Sequence, residues 1–315
     1  MTSREGSAFV FSALPQWPQL PEHITLRETP GVAVDAADRV YALTRNPDNP
    51  VVVFAGDGTY VRSFGHGHVG PRAHGISVAP DGMVYVTDDG LGTITKWTTE
   101  GQLLMTLGTP NEPAPRWSGL PFSKPTQAAV SHKTGHIFIS DGYANARVHK
   151  YAPDGTHVLS WGEPGVNPGQ FMIPHNIALD LDDIVYVADR DAHRVQLFDT
   201  NGRLQDVWHG IHRPAGLTVG PDGNIYIGEL NSFPGLDDGP GYGHRLSVYD
   251  RTGTLLARYG DAIEGEEPGQ FIAPHGIAVD SHGDIYVGEV SFTNRGRLLD
   301  PPREMRSLSK VERIR

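Results

Sequence analysis

The stretch PHGIAVDSHGDIYV at 274–287 decides the fold, because AHGISVAPDGMVYV at 73–86 and PHNIALDLDDIVYV at 174–187 repeat it about a hundred residues apart. Each runs from small apolar residues through a turn into an apolar-aromatic-apolar strand. Three further segments share the pattern without the histidine: 30–43 (PGVAVDAADRVYAL), 125–139 (PTQAAVSHKTGHIFI) and 214–227 (PAGLTVGPDGNIYI). The aromatic markers Tyr41, Tyr85, Phe138, Tyr186, Tyr226 and Tyr286 recur every 40 to 60 residues. That interval suits a four-stranded blade with loops of varying length.

Each unit continues into a second hairpin: 51–65, 94–108, 148–162, 195–208 and 246–260 all alternate around a turn such as Asp-Gly, Asn-Gly or Thr-Gly. Tight hairpin turns need positive φ, which Gly and Asn tolerate. The sixth unit lacks this hairpin. SKVERI near the C-terminus, with AFVF (8–11) as an outer strand, can complete it, so pairing of the two ends closes the ring and buries two edges. The expectation is an all-β, six-bladed β-propeller forming a single domain over 1–315. Long loops are expected at 109–124, 229–245 and 291–307.

The composition fits: 38 Gly and 25 Pro serve turns, and a net charge of −11 without any Lys/Arg run excludes nucleic acid as a main partner. No membrane-spanning run and no signal-peptide core is read in the sequence, so a cytoplasmic protein without membrane association is expected. With no cysteine, disulfides and thiolate metal ligands are excluded. The expected partner is a small-molecule substrate, with the oligomeric state undetermined.

At the histidine position the six units carry Pro30, His74, Thr126, His175, Ala215 and His275, so histidine occurs in alternate units. Alternate blades of a six-membered ring lie about 120° apart. If the motif strand is innermost, three imidazoles converge in the central channel and leave coordination positions open, the arrangement of a catalytic zinc site. The competing reading is three polar turn residues spread by duplication, although duplication more naturally gives all six or an adjacent pair.

These residues resemble a known family. RAHGISV, IPHNIAL and APHGIAV are similar to the metal-histidine motifs of NHL-repeat propellers, and within them the peptidyl-α-hydroxyglycine α-amidating lyases. The resemblance is densest at 140–179, 187–198 and 268–289. It implies that His74, His175 and His275 bind zinc or a similar divalent ion, that Tyr143 in SDGYANAR works beside it, and that Arg45 is the active-site arginine. A dication favours phenolate, so a nearby tyrosine can act as a base, and an arginine fork suits a carboxylate. Taken without the family, Tyr143 can equally be a strand-end aromatic packed on the next blade, and Arg45 a solvated surface arginine.

The family's calcium site would use the backbone carbonyls of Val32 and Ile76 and an aspartate where this chain has Gly276, which makes calcium doubtful. The resemblance implies a metal-dependent lyase that breaks a C–N or C–O bond of a hydroxylated, carboxylate-bearing substrate. The alternatives are a hydrolase or hydratase using metal-bound water on a lactone, ester or unsaturated acid, and a non-enzymatic propeller that binds a protein. Asp141 with Arg147 and Asp189 with Arg194 read as repeat ion pairs, Glu229 and Glu289 as repeat ties or acceptors for a ligand histidine's second N–H, and His66 and His68 as loop residues.

Overall fold

The structure is a computed structural model and describes residues 9–232 and 242–314. Ala8 of the expected N-terminal strand and residues 233–241 of the expected loop 229–245 lie outside the described residues. Among the described residues, 24 strands form six four-stranded sheets, the blades of a six-bladed β-propeller. In five of them the strands follow chain order. The sixth runs Val10–Leu14, Leu308–Ile314, Ile285–Glu289, Pro274–Val279, so the two chain ends share one sheet, with Phe11 opposite Arg313 and Ala13 opposite Val311.

The chain divides into two compact units, Met1–Ser63 with Ala215–Arg315 and Phe64–Pro214. In the second, blades pack through layers such as Ile94, Phe122, Ile137 and Tyr151, then Phe138, Val148, Ile177 and Phe198. In the first, Trp17, Phe54 and Tyr286 form one layer and Tyr226, Phe271 and Val311 another.

The aromatic markers are buried at 0–2% exposure. Burying a phenol requires a partner for its hydroxyl. Tyr41 donates to Asp35 (2.9 Å), Tyr226 to Asp222 (2.9 Å) and Tyr286 to Asp280 (2.9 Å), aspartates of the hairpin turn ahead of each strand. The same Asp35 and Asp280 carboxylates accept backbone N–H groups of their own turns. Turn and strand are thereby fixed to each other, which explains why the motif joins a turn Asp to the strand Tyr, six residues apart in two of these blades and four in the third.

Two expectations are corrected. Residues 291–307 are not all loop: Ser291–Asn294 is a one-turn helix and Gly296–Leu298 a 3-10 turn, too short to leave a helical period in the sequence. Arg147 does not pair with Asp141; its guanidinium donates to the Gly162 carbonyl. Asp141 is occupied instead by the N–H groups of Ser123 and Lys124, the Asn145 amide and His149. The Arg194–Asp189 pair forms at 2.9 Å.

Candidate active site

The histidines stand within the first strand of their blades, each at a register break: between Ala73 and Gly75, Pro174 and Asn176, and Pro274 and Gly276. The imidazole is the extra residue of a β-bulge, the device by which a strand re-aims one side chain. Thr126 occupies the same kind of break, so the bulge belongs to the repeat and histidine uses it.

Directly ahead of the His175 and His275 bulges the chain is fastened by a carboxylate from the end of the adjoining strand. Asp189 accepts the N–H groups of Met172 (2.9 Å) and Ile173 (3.0 Å), and Glu289 those of Ile272 (2.7 Å) and Ala273 (2.9 Å). Glu229 holds Arg245 at 2.8 Å and also the Ser247 hydroxyl. Glu229 and Glu289 are thus repeat ties. For His74 and His275 the ring N–H acceptors are backbone carbonyls instead.

His74 Nδ1 lies 2.7 Å from the Thr126 carbonyl, and His275 Nδ1 lies 2.6 Å from the Pro30 carbonyl, each on the next blade of its own unit. A carbonyl only accepts, so Nδ1 carries the hydrogen and Nε2 presents its lone pair. All three rings are at most 4% exposed. A buried imidazole with its tautomer fixed by a backbone carbonyl is suited to a transition metal, and this donor set fits a divalent ion of the zinc type.

Position 276 does not admit a calcium-binding aspartate. A Cβ on Gly276 would stand 2.6 Å from Gly31 Cα and 2.9 Å from Val32 N, so no aspartate can occupy that position without moving the backbone.

Tyr143 lies in the turn after strand Ile137–Asp141. A Cβ on Gly142 would come within 2.3 Å of the Pro174 carbonyl, so only glycine lets this turn approach the His175 strand so closely. The Tyr143 hydroxyl then sits 2.9 Å from Nε2 of both His74 and His175, whose rings are edge to face with centroids 4.8 Å apart. Arg190 donates to the same hydroxyl at 3.3 Å, with its guanidinium 5.4 Å from the ring centroid.

Arg190 was not singled out in the sequence, nor were Asp191 and Arg213. It opens the 3-10 turn Arg190–Ala192 and is gripped by Asp191 at 2.9 Å, which also holds Arg213 at 3.1 Å. Burial pushes the Asp191 carboxyl up, but the two guanidiniums outweigh it and hold it below its ordinary value. Burial, and then the neighbouring Arg190, hold the Arg213 guanidinium below its own. Arg45, by contrast, is bound by Glu28 at 2.6 Å, with the Thr293 hydroxyl 3.1 Å away. Its Nε is buried without a hydrogen-bond partner, and Glu28 also accepts the Thr293 N–H and hydroxyl.

Six four-stranded blades, three of them with a histidine at a bulge of the first strand, define a six-bladed propeller. No protein-family model matches the chain. Human NHL repeat-containing protein 3 is 31% identical over 291 residues, covering 87% of this chain and 80% of that protein, and the chain belongs to this NHL-repeat family. Among its homologues is peptidyl-alpha-hydroxyglycine alpha-amidating lyase 1 of Drosophila melanogaster, 30% identical over 69% of this chain and 42% of that protein. The chain therefore spans less than half of the lyase. The solved structure of a streptogramin B lyase has the same fold, with a TM-score of 0.62 at 14% identity over 97% of this chain and 98% of that one. No helix among the described residues is long and apolar enough to cross a membrane.

Proposed function

We propose that this chain is a metal-dependent lyase acting on a small carbinolamide that bears a carboxylate, releasing an amide and glyoxylate. The observation that carries the reading is the placement of the Tyr143 hydroxyl beside Nε2 of His74 and His175 and within reach of Arg190. In this reading His74, His175 and His275 would each give one imidazole nitrogen to a single divalent ion. Such an ion would supply Lewis-acid polarisation of a substrate oxygen.

The remaining chemistry falls to the chain's own side chains. Tyr143, as phenolate, takes the substrate hydroxyl proton and becomes a neutral phenol. Arg190 offsets the negative charge that the phenolate carries before that transfer, and Asp191 keeps Arg190 in place. As the hydroxyl carbon becomes an aldehyde carbon, the C–N bond breaks and nitrogen recovers a proton, so atoms and charge balance. Arg45, tethered by Glu28, is the cation proposed for the substrate carboxylate.

Metal analysis of purified protein, paired with glyoxylate release from an N-acyl-α-hydroxyglycine, tests the reading. About one transition-metal ion per chain is expected, and His175→Ala should lose both the ion and the activity, because a three-imidazole site cannot spare a donor. Active protein without a transition metal would overturn the metal centre. Metal-loaded protein that hydrolyses esters or lactones but leaves the carbinolamide intact would transfer the assignment to a hydrolase. Metal-free protein inert toward every such substrate would favour the non-enzymatic propeller.

A further inference from the structure

In the second compact unit, the loops entering strands Pro125–Val130 and Pro174–Leu179 lie at the end of the blades where the Tyr143 turn lies, because Pro125 pairs with Asp141 and Pro174 with Asp189. These loops expose large apolar side chains: Trp117 at 44%, Leu120 at 59%, Val166 at 65% and Met172 at 42%. Trp117 also has φ +60°, a left-handed backbone that bulky residues rarely adopt. Arg116 lies over its indole, 5.0 Å from the centroid.

The Trp117 loop is fastened to the catalytic turn. Trp117 N donates to the carbonyl of Ala144, the residue after Tyr143, at 2.8 Å. Asn145, fully buried, accepts from Gly119 N (2.9 Å) and donates to the Leu120 carbonyl (2.9 Å) and to Asp141 (2.8 Å). An exposed indole and isobutyl group are thus held in fixed register with Tyr143.

We propose that Trp117 and Leu120 form an apolar shelf that receives the acyl substituent of the substrate, so that the preferred carbinolamides carry a bulky aromatic or aliphatic acyl group next to the reacting carbon. This rests on the lyase reading and adds the substrate class. An aromatic side chain on a loop hydrogen-bonded to the catalytic turn recognises a flat apolar group by stacking and water exclusion.

The test compares N-benzoyl- and N-acetyl-α-hydroxyglycine. Trp117→Ala should raise KM for the benzoyl probe by about tenfold with kcat little changed, should move the acetyl probe less than about twofold, and should leave metal content intact. Trp117→Phe should restore most of the benzoyl preference. Equal losses on both probes, or no change on either, overturn the shelf. Binding read by NMR separates this from the chemistry: the Trp117 indole N–H signal, assigned by its loss in Trp117→Phe, should shift with benzoylglycine and not with acetylglycine. A shift in protein that turns over neither probe would retain the shelf and reject the lyase; no shift in an active enzyme would do the reverse.

Discussion

The Tyr143 hydroxyl has three polar neighbours, Nε2 of His74 and of His175 at 2.9 Å each and the Arg190 guanidinium at 3.3 Å. Tyr143→Phe keeps the ring and removes the hydroxyl, so turnover should fall by roughly a hundredfold with metal content unchanged, read by glyoxylate release and metal analysis. Asp191 acts one step behind. Asp191→Asn leaves Arg190 and Arg213 side by side without their shared carboxylate, and both activity and stability should drop. Because its folded-state value is depressed, the Asp191 contribution is complete above the ordinary aspartate value of about 3.9 and disappears as pH falls through the lower folded value. Urea midpoints of wild type and Asp191→Asn should therefore differ at pH 6 and converge toward pH 3. The histidines were legible in the sequence because a repeat makes equal position visible. Arg190 was not: it occupies the place of Asp89 and Gly142, and Arg194 beyond it already met the expectation of an ion pair. Only the 3-10 turn brings it to a tyrosine 47 residues away.

At the scale of the element, the blade motif is a bulged strand held by a carboxylate. Asp189 accepts two N–H groups directly before Pro174 and pairs with Arg194, whose side chain is 5% exposed. Asp189→Ala leaves that guanidinium buried and uncompensated, a loss of about 3–5 kcal/mol. It also frees the approach to the His175 bulge. Denaturant unfolding should show the destabilisation, and metal titration a weakened site. Strands and turns were readable from alternation and Asp-Gly pairs. The bulge was not, because a register break depends on the partner strand, and the histidine therefore lies inside its strand and not ahead of it. Gly276 gives a second element-scale expectation. Gly276→Asp, which introduces the carboxylate expected for a calcium site, should lower the melting temperature in the presence or absence of calcium, since a Cβ there meets the Gly31–Val32 backbone below 3 Å.

At the scale of the whole molecule, one blade draws its strands from both ends of the sequence. Strand Val10–Leu14 covers the edge of Leu308–Ile314, and its side chains are only half-buried: Phe11 lies edge-on to Tyr259 at 5.9 Å, and Phe9 lies under the Arg313 guanidinium at 4.3 Å. That composition was foreseeable, because the sixth unit of the repeat is short by a hairpin and an apolar segment lies unused near residue 10. Chain entropy offers no local help, since the two strands are almost three hundred residues apart, so their pairing forms late and depends on the blades between. A chain shortened to begin at Pro15 keeps all residues assigned to the site but leaves the Leu308–Ile314 edge unpaired. Its melting temperature should fall by several degrees, consistent with a loss on the order of 2–3 kcal/mol from partly buried aromatics. The open edge should also promote self-association on warming, detected by light scattering. Supplying Val10–Leu14 as a free peptide should reverse both effects in proportion to its concentration, as expected for a ligand that binds only the folded state. If the shortened chain melts like the full one and remains monomeric, the terminal strand contributes nothing to the fold, and the sixth blade is stable with three strands.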